Sequence, residues 1–214
     1  MRRSPRLPPE ELAPYLLEAP AASEGGGTTL SWRGVFGNDN PVEVEVGFGK
    51  GLFLLTASRA RPEVNFLGIE VVRKYQLFTA TRLAKRGLGN VRLACADARP
   101  FLRDRVPAGS VEVVHVYFPD PWWKKRHHKR RVFTEEFAGQ CARVLRPGGH
   151  LLLATDVEDY AALVRGLAGA QPGLREVPPP EPPPGAHDLD YLTNFERKFR
   201  KEGKVIWRLA YERV

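Results

Sequence analysis

A glycine-rich segment that begins with a glutamate is the first feature of the sequence that could do chemistry. Residues 45–51 read EVGFGKG and lie between a β-branched run and an amphipathic stretch. Glycines at this point let the backbone turn tightly and approach a nucleotide-like ligand, because no Cβ is in the way. A bound pyrophosphate would face the carboxylate of Glu45, and like charges repel in a poorly solvated cleft. The segment favours a ligand that carries cations, although a strand–helix turn without any ligand would need the same glycines.

Two further acidic residues follow the next apolar runs. Glu70 ends NFLGIE, and Asp97 follows VRLACA. If these runs are parallel strands, the acids share the carboxyl edge of one sheet with Glu45, where such sheets bind ligands. A carboxylate at Glu70 can accept hydrogen bonds from both hydroxyls of a ribose, and Asp97 can accept one from an adenine amino group. Together with Glu45, they predict a nucleoside cofactor with ammonium and sulfonium groups, as in S-adenosylmethionine.

A basic segment follows the fourth apolar run. Residues 118–131 read FPDPWWKKRHHKRR, with six Lys or Arg residues between 124 and 131. Prolines on both sides of Asp120 restrict the backbone and aim this side chain. Trp122 and Trp123 could stack on a base or simply pack. The two histidines have no set of cysteine or carboxylate ligands around them, so we expect no metal.

The overall composition indicates a soluble protein with a polyanionic partner. The chain has 214 residues, a formal net charge of +8 and a sequence pI near 9.7, and Lys and Arg gain free energy by releasing counterions from phosphates. No apolar run reaches the length of a membrane span, and the N-terminus lacks a signal-peptide pattern. Cys95 and Cys141 are interpreted as small core residues. We therefore expect a cytoplasmic protein without membrane association, and both a monomer and a homodimer remain open.

The elements that would position these residues begin at Val42. Short apolar strands alternate with amphipathic helices, which predicts a doubly wound, mostly parallel α/β sheet. Residues 204–213 are expected to form a final edge strand, and the proline run 178–184 an extended loop. Residues 1–40 are expected to be an irregular N-terminal arm, and 41–214 one domain. The strands are predicted at 42–47, 65–70, 91–96, 111–118 and 149–155, and the helices at 50–60, 73–87, 134–145 and 157–168.

The sequence resembles the bacterial tRNA (guanine-N7)-methyltransferase family. Residues 118–131 are similar to the family signature F-P-D-P-W-P-K-K-R-H-x-K-R-R, except that Trp123 stands where the family generally has proline. The similarity extends to EVGFGKG, GIEV, ATDVEDYA and TNFERK, and it covers roughly 42–200. It implies a Rossmann-like class I methyltransferase domain with seven strands, the last antiparallel. It also implies methyl transfer from S-adenosylmethionine to N7 of guanine 46 in the tRNA variable loop.

The same resemblance implies roles for residues at matching positions. Asp120 is expected at the catalytic centre as well as at the cofactor. The expected cofactor-binding residues are Glu45, Gly47, Gly49, Glu70, Asp97 and Asp120. Those expected to meet the substrate guanosine are Lys124, Asp156, Thr193, Asn194, Phe195 and Glu196. Those expected to touch the RNA are Arg126, His127, His128, Lys129, Arg130 and Arg131.

Guanine N7 carries a lone pair and no proton, so its methylation needs alignment with the sulfonium and no strong general base. Asp120 is therefore assigned to positioning and electrostatics. Asp156 or Glu196 can accept hydrogen bonds from guanine N1–H and its amino group and stabilise the positive charge that develops on the purine. One alternative is a methyltransferase for another nucleic acid or a small molecule, and the basic run 124–131 is the discriminator, because a small-molecule enzyme has no reason to carry it. Another is a non-catalytic RNA-binding module with an unused nucleoside fold, which cofactor binding would exclude.

Overall fold

A computed structural model describes residues 7–18, 29–122, 126, 131–181 and 193–214, except for the side chain of Asn194. Its strands are β1 Leu16–Leu17, β2 Val42–Val46, β3 Asn65–Glu70, β4 Val91–Cys95, β5 Val111–Tyr117, β6 Leu145–Thr155, β7 Leu174–Val177 and β8 Trp207–Arg213. Its α-helices are α1 Pro9–Leu12, α2 Trp32–Phe36, α3 Leu52–Ala60, α4 Arg73–Ala84, α5 Ala98–Arg105, α6 Glu135–Val144, α7 Glu158–Gly169 and α8 Asn194–Lys201. A 3-10 helix, Ala13–Tyr15, follows α1.

All strands of the described residues belong to one sheet in the order β1-β4-β3-β2-β5-β6-β8-β7. The pairings from β1 through β6 are parallel, and β8 runs antiparallel to both β6 and β7. The predicted α/β fold, with seven main strands and an antiparallel last strand, is confirmed. The two-residue β1 adds an eighth strand beside β4.

The prediction that the last strand lies at the edge of the sheet is wrong. β8 lies between β6 and β7, and β7 forms the edge. Leu174–Val177 is only four residues long and has one buried side chain, so its sequence shows no clear alternation. A strand of this length gives too little periodicity to be detected before its partner is known.

Several short elements also lack a strong signal in the sequence. The pattern of residues 1–40 predicts an irregular segment. In the structure, residues 9–17 form α1, the 3-10 helix and β1, and Trp32–Phe36 forms α2. Leu12 and Tyr15 are buried in the core beneath α1, which packs against α4. The division into an arm at 1–40 and a domain at 41–214 stays a prediction. Residues 182–184 of the proline run lie outside the described residues.

Helices cover both faces of the sheet, which explains the continuous apolar runs of its central strands. One core cluster packs α5, α6 and α7 against one face, and a second packs α3 and α4 against the other. All five side chains of β2 are buried. Because successive strand residues alternate between faces, Glu43 and Glu45 point to the same face, opposite to Val44.

Gly51 allows α3 and α4 to approach each other closely. It is the N-cap residue of α3, with φ of 66° in the left-handed region. A Cβ on Gly51 would lie 2.3 Å from Thr79 Cγ2 and 2.7 Å from Thr79 Oγ1. Thr79 is a buried residue of α4. A side chain at position 51 would therefore separate the two helices at the point where the glycine segment meets the sheet.

We expect Gly51→Ala to lower the free energy of unfolding by about 3 kcal/mol, from backbone strain combined with overpacking. Gly87→Ala is the matched control, because Gly87 has φ of 62° but no atom lies within 4 Å of the place that its Cβ would occupy. It should cost about 1–2 kcal/mol from strain alone. In a Thr79→Ala background the cost of Gly51→Ala should approach that of the control. Urea denaturation measures all four variants, and an unchanged cost in that background would contradict the packing argument.

Candidate active site

A cavity of about 610 Å³ lies at the carboxyl edge of β2, β3, β4 and β5. The predicted cofactor residues come together here, because parallel strands end at the same edge of the sheet. A purine-sized ligand with an amino-acid tail fits a cavity of this size. All six residues of that predicted set line it: Glu45, Gly47, Gly49, Glu70, Asp97 and Asp120.

Glu70 holds the glycine segment in place. Its Oε2 accepts a hydrogen bond from the backbone N–H of Gly49 at 3.0 Å, and its Oε1 accepts one from Val72 N–H at 3.0 Å. Gly47 and Gly49 have φ of 76° and 51°, which confirms that the turn needs glycine. Each carboxylate oxygen has a second lone pair, so Glu70 can also accept hydrogen bonds from a ligand hydroxyl.

Glu45 is a buried acid that has no ion-pair partner among the residues that the structure describes. Its side chain is 3% exposed, and its Oε2 is buried without a hydrogen-bond partner. Burial, together with the nearby charge of Glu70, raises the pKa of Glu45 well above its ordinary value. An isolated buried carboxylate is costly unless it meets a cation or donor. Its position on the cavity wall therefore fits a cationic ligand group.

Glu43, two residues earlier on the same strand, has partners that Glu45 lacks. Its carboxylate accepts hydrogen bonds from Arg61 and lies 2.9 Å from Nε2 of His115. Burial opposes its ionisation, but the hydrogen bond from His115 together with the hydrogen bonds and charge of Arg61 outweighs burial and lowers the pKa of Glu43. Burial also lowers the pKa of His115, so its ring is neutral and donates from Nε2.

The same histidine orients a wall of the cavity. Nδ1 of His115 lies 2.8 Å from the hydroxyl of Tyr117. Because Nε2 carries the proton, Nδ1 accepts and the tyrosine hydroxyl donates. The ring of Phe53 packs against His115 and Tyr117 at centroid distances of 4.5 and 5.3 Å. This network was not predicted from the sequence, where its signal was the polar residues Glu43 and His115 within two valine-rich strands.

Asp97 lies at the start of α5 and is its N-cap. Its carboxylate accepts hydrogen bonds from the backbone N–H of Arg99 at 3.0 Å and from the Arg99 guanidinium at 2.6 Å. These hydrogen bonds with Arg99 outweigh partial burial and lower the pKa of Asp97. Asp97 is therefore an ionised acceptor on the cavity wall, and Arg99 lines the cavity beside it.

Asp120 lies in a strained turn. Phe118 and Trp122, on the two sides of Pro119-Asp120-Pro121, have φ of 49° and 47°, and both line the cavity. Left-handed backbone at bulky residues costs on the order of 1–3 kcal/mol each and is found mainly at functional sites. The turn directs exposed Asp120 toward the cavity, as the prolines predict.

The predicted substrate residues divide into two groups. Thr193 and Phe195 line the cavity, and Phe195 is exposed. Glu196 is instead buried beneath α8, where Arg208 binds it. The carboxylate of Asp156 lies near Lys204, with 4.0 Å between Asp156 Oδ2 and Lys204 Nζ. Asp156 does not line the cavity. Lys124 and the side chain of Asn194 lie outside the described residues.

Most of the predicted RNA-contacting residues also lie outside the described residues: His127, His128, Lys129 and Arg130, together with Trp123. Arg126 is exposed. Arg131 donates a hydrogen bond from Nε to the carbonyl oxygen of Pro121 at 2.8 Å, and its guanidinium lies 5.8 Å from the ring centre of Tyr160. Arg131 therefore stabilises the end of the basic segment.

The structure adds apolar residues that the sequence analysis missed. Val71, Val72 and Tyr75 line the cavity directly after Glu70. The two valines are 64% and 40% exposed. They offer an apolar surface for a planar ring in the part of the cavity next to Glu70. Their signal in the sequence was a pair of β-branched residues after the acid that ends β3.

Comparison with known proteins identifies the family. A family model described as "Putative methyltransferase" matches residues 39–209. A tRNA (guanine-N(7)-)-methyltransferase of Rhodopirellula baltica is 46% identical over 86% of this chain and 70% of its own length. The enzyme of the same name from Hydrogenovibrio crunogenus is 37% identical over 86% of this chain and 77% of its own. The chain belongs to the tRNA (guanine-N(7)-)-methyltransferase family.

Solved structures with low sequence identity support the fold of this family member. The 16S rRNA methyltransferase KamB has a TM-score of 0.59 at 18% identity, covering 86% of this chain and 93% of its own. A SAM-dependent methyltransferase from Aquifex aeolicus has a TM-score of 0.53 at 15% identity, covering 83% and 85%. Both share the α/β methyltransferase fold with this chain.

The residues of the cavity fit S-adenosylmethionine, the methyl donor of this class of enzyme. The buried, unpartnered oxygen of Glu45 suits a cation, and Glu70 has free lone pairs for hydroxyls. Within the described residues, no group of three or more His, Cys, Asp or Glu side chains could hold a metal ion. Among the same residues, no helix is both long and apolar enough to cross a membrane.

The two buried glutamates of β2 should affect stability with opposite signs. The pKa of Glu45 is raised in the folded state. Its stabilising contribution to the free energy of unfolding is therefore fully present below the pKa of the unfolded state and is lost as pH rises through the pKa of the folded state. Glu45→Gln should therefore become increasingly stable relative to wild type above about pH 4.5. Glu43 has a lowered pKa, and its contribution is present above its unfolded pKa. Glu43→Gln should be less stable than wild type at neutral pH, by a margin that shrinks in acid.

Urea denaturation of both variants and the wild type, without ligand, between about pH 4 and pH 8 measures this difference. Equal slopes of stability against pH for the wild type and Glu45→Gln would show that Glu45 ionises without cost.

Proposed function

We propose that this chain transfers the methyl group of S-adenosylmethionine to N7 of a guanine in tRNA, at position 46 of the variable loop. The observation that carries the proposal is the convergence of four carboxylates on one cavity, one of which is buried and has an oxygen with no hydrogen-bond partner among the described residues. Family membership and relatives named tRNA (guanine-N(7)-)-methyltransferases support the choice of base and RNA.

In this proposal the cavity residues hold the cofactor by its separate chemical parts. Glu45 binds the cationic amino-acid end, Glu70 accepts hydrogen bonds from the ribose hydroxyls, and Asp97 accepts one from the adenine amino group. Gly47 and Gly49 let the backbone approach closely. The cofactor supplies an electrophilic methyl carbon bonded to a sulfonium.

The residues on the open side of the cavity align the guanine. Asp120 positions the reacting groups and offers its negative charge to the purine as N7 becomes positive. Phe195, exposed at the cavity wall, stacks on the base. Asp156, which follows β6 at the same edge of the sheet but does not line the cavity, is the proposed acceptor for the Watson–Crick edge, because Glu196 is buried in its ion pair with Arg208. No proton leaves N7, so alignment contributes most of the rate.

The basic segment places tRNA over this opening. Arg126 is exposed, and all six Lys and Arg residues of the basic segment lie between 124 and 131. A small-molecule methyltransferase would not need this concentration of charge in the residues that follow the cavity-lining residues Asp120 and Trp122 along the chain. Since tRNA is the substrate, we propose the cytoplasm as the place of action.

The decisive experiment incubates the protein with labelled S-adenosylmethionine and tRNA that lacks 7-methylguanosine. We expect one labelled nucleoside, 7-methylguanosine, at position 46 after nuclease mapping. Asp120→Ala should lower the single-turnover rate by about tenfold or more at saturating cofactor, because alignment is lost. Label on another base, or on no RNA at all, would refute the proposed reaction.

The basic segment should determine the salt dependence of tRNA binding. Replacing Arg126, Lys129 and Arg130 with alanine should weaken binding and lower the salt slope, by about one unit for each lost phosphate contact. Arg131 is kept, because its contact with Pro121 stabilises the segment. Cofactor affinity should not change, since the acids of the cavity are intact.

Fluorescence titrations at several salt concentrations measure the slope for the triple variant and the wild type. A matched control replaces Arg33, Arg59 and Arg86, three arginines in other parts of the chain, and should leave the slope unchanged. Parallel slopes for the basic-segment variant and the wild type would place the RNA on another surface.

A further inference from the structure

A buried ion pair joins α8 to β8. Oε1 of Glu196 lies 2.5 Å from a terminal nitrogen of Arg208 and 3.4 Å from Nε of Arg200. Glu196 is 1% exposed and the Arg208 side chain 20% exposed. Arg200 lies on α8 itself, so of these two partners Arg208 is the one that joins the helix to the sheet, and its removal would leave a buried charge with less compensation.

Arg208 lies in the row of the sheet that borders the cavity. Across β5, β6 and β8, Tyr117 pairs with Ala154, and Ala154 pairs with Arg208. Paired residues of neighbouring strands point to the same face, so Tyr117 and Arg208 lie on either side of the small side chain of Ala154. The charge of Glu196 also contributes to raising the pKa of Tyr117, after burial and the nearby glutamates of β2. The ion pair is therefore close to the cavity wall.

Helix α8 depends on few side chains for its position. Of the α8 side chains that the structure describes, Glu196 and Phe199 are the buried ones. Phe199 packs against Phe118 at a centroid distance of 5.5 Å, and Phe195 packs against Phe118 at 6.3 Å. The packing of Phe195 and Phe199 on Phe118 and the ion pair with Arg208 thus help to place the cavity-lining residues of α8 beside the strained turn of Asp120.

We propose that Arg208 is a positioning residue for the tRNA substrate, acting through Glu196 to hold the first turn of α8 at the cavity. The inference rests on the proposed function for its kinetic consequences. Arg208 is not among the residues that line the cavity, and its guanidinium donates hydrogen bonds to Glu196 and to the carbonyl oxygen of Ile206. Its loss moves Thr193, Phe195 and Lys198 relative to Phe118, so the base is misaligned while the cofactor half of the site stays intact.

Arg208→Met tests the proposal, because methionine keeps an apolar stem of similar length without the guanidinium. We expect kcat/KM for tRNA to fall about tenfold or more, since small misplacements of aligned groups are costly. The dissociation constant for S-adenosylmethionine should stay within about twofold of wild type. Arg208→Lys, which keeps the charge, should recover part of the loss. Arg213→Met removes an arginine from the other end of β8 and should behave like wild type.

Hydrogen exchange provides a readout that does not need activity. In the absence of tRNA and cofactor, the amides of α8 should exchange faster in Arg208→Met than in wild type, whereas those of β5 and β6 should not. Unchanged exchange in α8 would overturn the proposal even if the protein proved inactive on tRNA. Faster exchange together with an inactive wild type would refute the proposed function and leave the anchoring role standing.

A double-mutant cycle separates positioning from direct base recognition. If Glu196 acts through Arg208, Glu196→Gln should add little to the kinetic loss in an Arg208→Met background. If Glu196 contacts the guanine itself, its loss should reduce kcat/KM by a further factor similar to that in the wild-type background. That second result, or an unchanged kcat/KM for Arg208→Met, would overturn the proposal.

Discussion

The parallel pairing of β2 with β3 and of β3 with β4 determines where the acids of this site lie. Glu45 pairs with Gly68, and Glu70 pairs with Cys95, so successive strands deliver carboxylates to one edge. These like charges repel one another in a partly buried cavity. The hydrogen bonds of the sheet and the two apolar cores hold them there regardless. A cationic ligand relieves this repulsion. The sheet thus holds the carboxylates in an arrangement that favours binding of a cationic cofactor.

Glu43 and Glu45 show how one residue type serves two purposes on a single strand. Both are buried on the same face, two residues apart. Arg61 and His115 compensate the charge of Glu43, and the resulting network fixes the ring of Tyr117. Glu45 has no such partner among the described residues, so the full cost of desolvation remains until a ligand meets it. Partners rather than burial alone therefore separate a structural acid from a binding acid.

The sequence was sufficient for the parts of the site that depend on local pattern. Gly47 and Gly49 show positive φ, and Glu70 and Asp97 lie at the ends of the strands that the apolar runs predict. The position of β8 was not predictable, because β7 is too short to show a period. The burial of Glu196 was not predictable either: its partner Arg208 is twelve residues away, on an element whose neighbours depend on the whole sheet. Strand-end chemistry can be predicted locally, whereas a contact between elements needs the topology.

The two halves of the site depend on different kinds of interaction but share one row of the sheet. The cofactor half is held by hydrogen bonds close to the strand ends, such as that from the backbone N–H of Gly49 to the carboxylate of Glu70. The substrate half depends on α8, which the Glu196–Arg208 ion pair and the packing of Phe199 on Phe118 help to hold in place. Tyr117, Ala154 and Arg208 join these halves across β5, β6 and β8. Methyl transfer needs both reactants aligned to a fraction of an ångström, and a shared row of strand pairs is stiff enough to fix their separation.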